Sequence, residues 1–79
     1  MEFNVLEETL VYYALRNVET GKYVLGGIQI TENGLSYLDG NLVEAKLFDK
    51  QGATFWQAKL KEWNNEDFEI RKTKVIVIE

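Results

Sequence analysis

The 79-residue chain is long enough for one domain and leaves no room for a second, so we treat residues 1–79 as a single unit. It is 46% hydrophobic and 28% charged, as is typical of a globular domain and not of a disordered segment. The lack of cysteine and histidine excludes disulfides, thiolate catalysis and the commonest metal ligand and general base. The net charge of −4 argues against direct nucleic-acid binding, and no apolar run approaches the roughly 20 residues of a membrane span. We therefore expect a soluble, cytoplasmic protein.

The N-terminal part is predicted to enter a β-sheet. Within the first eight residues, Phe3 and Val5 alternate with polar neighbours, which allows a short strand there. Residues 9–18 are β-branched, aromatic and apolar on both faces, a pattern typical of a strand buried on two sides or central in its sheet. This segment is the first strand that we assign.

A first hairpin is expected next, with its turn at residues 18–22. Gly21 can adopt the positive φ that closes a hairpin loop, so the chain reverses there and returns over residues 22–25. Gly26 and Gly27 then interrupt the return strand, either as a bulge or as a bend that curls the strand over a helix.

A second hairpin is predicted from the dipeptide Asn33-Gly34, the strongest two-residue turn signal in the chain. Apolar and polar residues alternate on both sides of it, over residues 28–30 and 35–38. Residues 39–41 then form a loop, in which an asparagine or aspartate can cap the element that follows.

Two helices are predicted after this loop. Residues 42–48 carry apolar side chains three apart and favour a helix of about two turns. Residues 49–64 form the main helix, with Asp49 as its N-cap. Thr54 and Gln57 have the spacing of a capping box, an alternative that would delay the start of this helix.

The main helix is expected to cover one face of the sheet. Ala53, Trp56, Leu60 and Trp63 fall on one helical stripe, and we expect both tryptophans and Leu60 to face the sheet. Phe55 lies about 100° around the helix from Trp56 and is expected at the surface. We predict that the helix is mainly structural and that only Phe55 and the lysines on its outer face are candidates for a role in function.

The helix is predicted to end at the two asparagines at 64–65, which suit a left-handed helix end. A last strand then runs over residues 68–78. Residues 75–78 are as apolar as residues 9–18, so we expect the first and last strands to be sheet neighbours. The predicted architecture is α+β in the order ββ(ββ)ααβ: two hairpins and a C-terminal strand in a small antiparallel sheet, covered by a short helix and a main helix.

No constellation of residues predicts catalysis, a cofactor or a metal. Ser36 is the only serine, and no histidine is present to activate it. Paired carboxylates would need a pocket of a size that so small a domain seldom has. Acidic residues gather near the end of the main helix, but without the spacing of a calcium loop, which favours a solvated corner over a metal site. They are Glu62, Glu66, Asp67 and Glu69.

A modest set of basic residues allows RNA binding but more simply gives a soluble surface. The set comprises Lys59, Lys61, Arg71, Lys72 and Lys74, beside four acidic residues. The acidic charge lies elsewhere, because residues 1–49 hold eight Asp and Glu against three Lys and Arg. This imbalance favours a basic partner, such as a host protein that itself binds nucleic acid.

The sequence resembles small uncharacterised proteins of bacteriophages and prophages over most of its length. The resemblance rests on E-T-G-K-Y at 19–23, L-V-E-A-K-L-F at 42–48, a helix starting near Gln51, and a C-terminal strand that is first charged and then apolar. These motifs are structural, so no functional residue is carried over. The resemblance implies a setting in the host cytoplasm, where small acidic phage proteins often block a host enzyme such as a restriction or CRISPR nuclease, or act as accessory factors.

Our leading hypothesis is a non-enzymatic protein-interaction module, of the kind that inhibits a host protein through its acidic first part and an aromatic anchor. The candidate partner-binding residues are Glu7, Glu8, Glu19, Glu32, Asp39, Glu44 and Phe55. An alternative is a structural or accessory homo-oligomer that pairs through exposed edge strands, so that the chain is a monomer or a homodimer. A small enzyme is the third hypothesis, and it requires a deep pocket with paired carboxylates.

Overall fold

A computed structural model describes the backbone of residues 7–78 and the side chains of residues 10–76. The predicted weak strand within the first eight residues lies almost wholly outside this range. The described chain forms an α+β fold of four antiparallel strands and one α-helix. Their bounds are β1 (Glu7–Asn17), β2 (Tyr23–Thr31), β3 (Gly34–Gly40), α1 (Lys50–Asn64) and β4 (Phe68–Ile78).

The predicted fold class is confirmed, but the number of strands is smaller than predicted. The segments 22–25 and 28–30 are parts of one strand, β2, because the two glycines between them form a bulge and do not break it. Gly26 and Gly27 have φ of 122° and 63°, values that side chains disfavour, and the register with β3 shifts there. Of the two alternatives, the bulge is therefore the one observed.

The predicted helix over residues 42–48 is wrong. Only Leu42–Glu44 form a 3-10 turn, and Ala45 is already extended with φ −62° and ψ 142°. Phe48 exchanges two backbone hydrogen bonds of 2.8 Å with Tyr13 of β1, which requires an extended chain. Leu42 is 50% exposed whereas Phe48 is buried, so the apolar residues three apart do not form one buried helical face.

The strands follow the order β3-β2-β1-β4, and the predicted pairing of the first and last strands is confirmed. β1 and β4 pair over their whole length, from Asn17 opposite Phe68 to Glu7 opposite Ile78. β1 meets β2 at Arg16 opposite Tyr23 and then diverges from it. Past the contact with Phe48, β1 and β4 therefore continue as a two-stranded ribbon, formed by residues 7–12 and 73–78.

The ends of α1 are as predicted, but only part of the face predicted to be buried packs against the sheet. Asp49 accepts a 2.6 Å hydrogen bond from the Gly52 amide, and Asn65 ends the helix in the left-handed conformation with φ 54°. Leu60 is fully buried and Trp56 packs against the core, but Trp63 is 41% exposed. At 100° per residue, Trp63 lies about 80° from Ala53 and about 60° from Leu60, the two buried residues of α1, which places it on the flank of the helix.

The sheet curls around α1, so that its two outer strands approach one another. The rings of Tyr37 on β3 and Phe68 on β4 meet edge to face with centroids 5.8 Å apart. The core lies between sheet and helix and comprises Leu15, Val24, Leu35, Phe48, Ala53, Leu60 and Phe68. Two side-chain amides of α1 also bind the outer strands. Asn64 Nδ2 donates to the backbone C=O of Leu35, and Asn64 Oδ1 accepts from the Leu35 N–H, both at 2.8 Å. Gln57 Nε2 donates to the Phe68 carbonyl.

We expect Asn64→Ala to lower the free energy of unfolding by about 1–3 kcal/mol, because it leaves both backbone groups of Leu35 without partners at a partly buried site. Urea denaturation measures this change. Glu62→Ala is the control on the exposed face of α1 and should change stability by less than about 0.5 kcal/mol. Equal effects of the two substitutions would show that the Asn64 amide does not hold the strand.

Candidate interaction surface

An apolar cleft lies between one flank of α1 and the hairpin end of β2 and β3. Its volume is about 90 Å³. The residues around it, which we call the aromatic cleft, are Ile30, Leu35, Phe55, Trp56, Lys59 and Trp63. Three of them stand open to solvent at the rim, with Ile30 74%, Phe55 52% and Trp63 41% exposed.

The spacing of residues along α1 builds one wall of this cleft. Phe55, Lys59 and Trp63 are four residues apart and share a stripe beside the buried one. The Lys59 ammonium lies 5.7 Å from the ring centroids of both Phe55 and Trp63. Phe55 also meets the ring of Trp56 edge to face at 5.1 Å, so these side chains brace one another around the opening.

The strands supply the other wall. Leu35 is buried, and Ile30 lies opposite it on β2, near the turn between β2 and β3. The two side chains point to the same side of the sheet. The cleft is far below the roughly 300 Å³ of a typical small-molecule site, and its size suits one apolar side chain. Exposed aromatic and branched apolar residues clustered at one place mark interaction surfaces.

Of the candidate acidic residues, only Glu32 lies at the hairpin end that carries this cleft. It occupies the turn between β2 and β3, two residues after Ile30. Asp39 lies at the far end of that ladder, opposite Val24, about 20 Å away along the strands. The four acidic candidates with described side chains are all exposed, but the fold spreads them over three turns and the end of β3 and does not make one patch.

The remaining acidic candidates lie elsewhere in the fold. Glu19 occupies the turn between β1 and β2, and Glu44 ends the 3-10 turn. Glu7 and Glu8 stand on β1 opposite Ile78 and Val77, and their side chains lie outside the described residues. Phe55 is exposed as predicted.

The acidic corner after α1 is only partly the solvated cluster that the sequence suggested, because Glu66 is half-buried. Glu66 accepts hydrogen bonds from the Tyr37 hydroxyl at 2.8 Å, from Asn64 Nδ2 at 2.7 Å and from Asn17 Nδ2 at 3.3 Å. Burial, together with the neighbouring Glu66 carboxylate, raises the pKa of Tyr37 to about 12. This network joins β1, β3 and the end of α1, which is a structural role.

The other carboxylates near this corner form separate ion pairs. Glu69 lies 2.9 Å from Arg16 and 3.2 Å from Arg71, and the hydrogen bond from Arg16 holds the pKa of Glu69 below its usual value. Asp67 lies 3.0 Å from Lys61. Among the described side chains of residues 10–76, no group of three or more acidic residues is arranged to hold a metal ion.

Phe55 and the outer-face lysines of the helix were predicted as candidates from the sequence, whereas Trp63 and Ile30 were not. The signal for Lys59 and Trp63 was the four-residue spacing from Phe55, whereas Trp63 was assigned to the core through its spacing from Trp56. Ile30 carries no local signal, because its place beside α1 depends on the curl of the sheet.

Comparisons with known proteins add no relative: no family model, curated protein or solved structure matches the chain. No helix among residues 7–78 combines the length and the apolar content that crossing a bilayer requires.

The raised pKa of Tyr37 predicts a pH dependence of stability. Between the ordinary value of 10.0 and about 12, the unfolded chain releases this proton while the folded chain keeps it. The stability that Tyr37 contributes is therefore complete below pH 10 and is lost as the pH rises through about 12. We expect urea-unfolding free energies to fall less steeply over this interval in Tyr37→Phe than in the wild type. Identical slopes would show that Tyr37 is not held protonated by the fold.

Proposed function

We propose that this protein is a non-enzymatic interaction module that binds another protein through the aromatic cleft. The observation that carries the proposal is the exposure of Ile30, Phe55 and Trp63 around a small apolar opening. The cleft is small and has apolar walls, so it accommodates a single apolar side chain of the partner.

The energetics of such a surface also favour binding. Aromatic residues at the centre of an interface carry a large share of the binding energy, and they lose little conformational entropy when they are already braced. Phe55 and Trp63 are held by contacts with Trp56 and Lys59 before any partner arrives. The surface is thus largely preorganised.

The partner that we propose is basic near its contact with the cleft. The chain carries a net charge of −4, and Glu32 is exposed in the turn that borders the aromatic cleft. A positive partner would be steered by the net charge and held locally by Glu32. The resemblance to phage proteins supports a more specific form of the proposal, in which the partner is a host protein such as a defence nuclease and binding inhibits it.

The apolar part of the proposal is tested with Phe55→Ala. The partner is recovered from a bacterial lysate on immobilised wild-type protein, and its affinity for purified variants is measured by calorimetry. We expect Phe55→Ala to weaken binding by at least about tenfold, or roughly 1.4 kcal/mol, as for a central aromatic anchor.

Val43→Ala is the matched control, because Val43 is an apolar residue even more open to solvent than Phe55 but lies on the 3-10 turn and not at the cleft. It should leave the affinity unchanged. A partner that binds Phe55→Ala as tightly as the wild type would refute the cleft as its binding site.

The electrostatic part is tested with Glu32→Lys against Glu19→Lys, which makes the same change of charge on a turn away from the cleft. We expect Glu32→Lys to weaken binding more and to reduce its dependence on salt, because the lost interaction is local. Equal weakening by both variants would reduce the role of Glu32 to its share of the net charge. No weakening by either would remove electrostatics from the proposal.

A homo-oligomer is the second candidate function, and the ribbon of β1 and β4 favours it. An isolated two-stranded ribbon is only marginally stable in water, and Ile76 on this one is 61% exposed. Association of ribbons from two copies would cover that apolar surface. Sedimentation over the micromolar range would reveal a homo-oligomer as a mass that rises with concentration.

A further inference from the structure

The outer edge of β4 presents a regular row of backbone groups. Tyr13 of β1 uses both its N–H and its C=O to bind Phe48, so both groups point away from β4. Its partner across the ladder, Lys72, is then a non-hydrogen-bonded pair member whose own N–H and C=O point outward. By alternation, the same holds for Ile70, Lys74 and Ile76.

α1 closes only the beginning of this edge. Gln57 Nε2 donates to the carbonyl of Phe68, the first residue of β4. From Ile70 to Ile76, the outward backbone groups have no hydrogen-bond partner among residues 7–78. An open edge of this length is a template for another strand.

The side chains along the edge give it a positive charge on one face. Lys72 and Lys74 lie two residues apart, so they project to the same side, about 6.7 Å from each other. Both are exposed, and neither is within ion-pair distance of a carboxylate among the described residues. Arg71 projects to the other face and is paired with Glu69.

A second copy of β4 does not suit this edge. In an antiparallel two-fold pairing centred on residue 72, 73 or 74, lysine stands opposite lysine each time: Lys72 with itself, Lys72 with Lys74, or Lys74 with itself. Like charges directly opposite each other destabilise a strand pair. A strand with acidic side chains at alternate positions places a carboxylate opposite each lysine instead.

We propose that the β4 edge binds an extended acidic segment of a partner protein by strand addition. The segment aligns with residues 70–76, its backbone pairs with the outward groups, and two carboxylates two residues apart face Lys72 and Lys74. This site is separate from the aromatic cleft, and its test does not depend on whether the cleft binds a protein.

The probe is a capped synthetic peptide in which glutamate alternates with valine, long enough to pair with residues 70–76. In amide hydrogen exchange followed by NMR, we expect the peptide to slow exchange at Lys72, Lys74 and Ile76. Arg71, Thr73 and Val75 already face β1 and should not change. A peptide with lysine in place of glutamate, and one N-methylated at alternate residues, should both fail to bind.

Two substitutions at one position separate the backbone from the charge. Lys72→Ala removes the charge and should weaken peptide binding only about two- to fivefold. Lys72→Pro also removes the outward N–H without touching the ladder to β1, and it should reduce the affinity at least about tenfold further. Circular dichroism and urea denaturation check that the proline variant is folded.

Four results would overturn the proposal. Equal binding by the proline and alanine variants would show that no strand is added. Binding of the N-methylated peptide as tight as that of the unmodified glutamate peptide would show the same, and this comparison does not depend on how any variant folds. Unchanged exchange at Lys72 and Lys74 on saturation with the glutamate peptide would place that peptide elsewhere. Self-association of the free protein that Lys72→Pro abolishes would assign the edge to a second copy.

Discussion

The side-chain amide of Asn64 fixes the position of the helix against the sheet, and most of the structure depends on it. A primary amide carries a donor and an acceptor side by side, so it satisfies both backbone groups of Leu35 as a neighbouring strand would. Asn64 also donates a hydrogen bond to Glu66. Glu66 accepts further hydrogen bonds from Tyr37 and Asn17, which lie on two different strands. One residue at the end of α1 therefore ties three elements together, and no side chain at Gly34 would fit beside it.

This constraint also sets how α1 is rolled about its axis. With Asn64 directed at β3, its neighbour Trp63 is turned away from the centre of the sheet and toward the hairpin end. The stripe of Phe55, Lys59 and Trp63 then faces Ile30 across a gap that neither element fills. The aromatic cleft is thus a consequence of holding the helix by its polar end, since a roll that buried Trp63 would break the amide pairing.

Local signals predicted the helix with its caps and the turns at Gly21 and Gly34, because each depends on residues adjacent in the sequence, but they left a bulge and a bend open at Gly26 and Gly27. The pairing of β1 with β4 followed from matching apolar content. The extended conformation of residues 45–48 could not be predicted, since it is imposed by the edge of β1 through Phe48. The cleft and the Glu66 network were missed for the same reason: both combine residues that only the curl of the sheet brings together.

The lengths of the elements explain why the curl cannot close the sheet completely. α1 has 15 residues and is about 22 Å long, whereas β1 and β4 have 11 residues each and span about 36 Å. A helix of that length can cover the strands only over part of their span, so the ribbon and the edge of β4 must project beyond it. Lysines on that edge oppose pairing with another copy of the same strand, yet they leave the backbone groups free. Charge repulsion between two copies of this edge therefore does not prevent it from pairing with a strand of opposite charge.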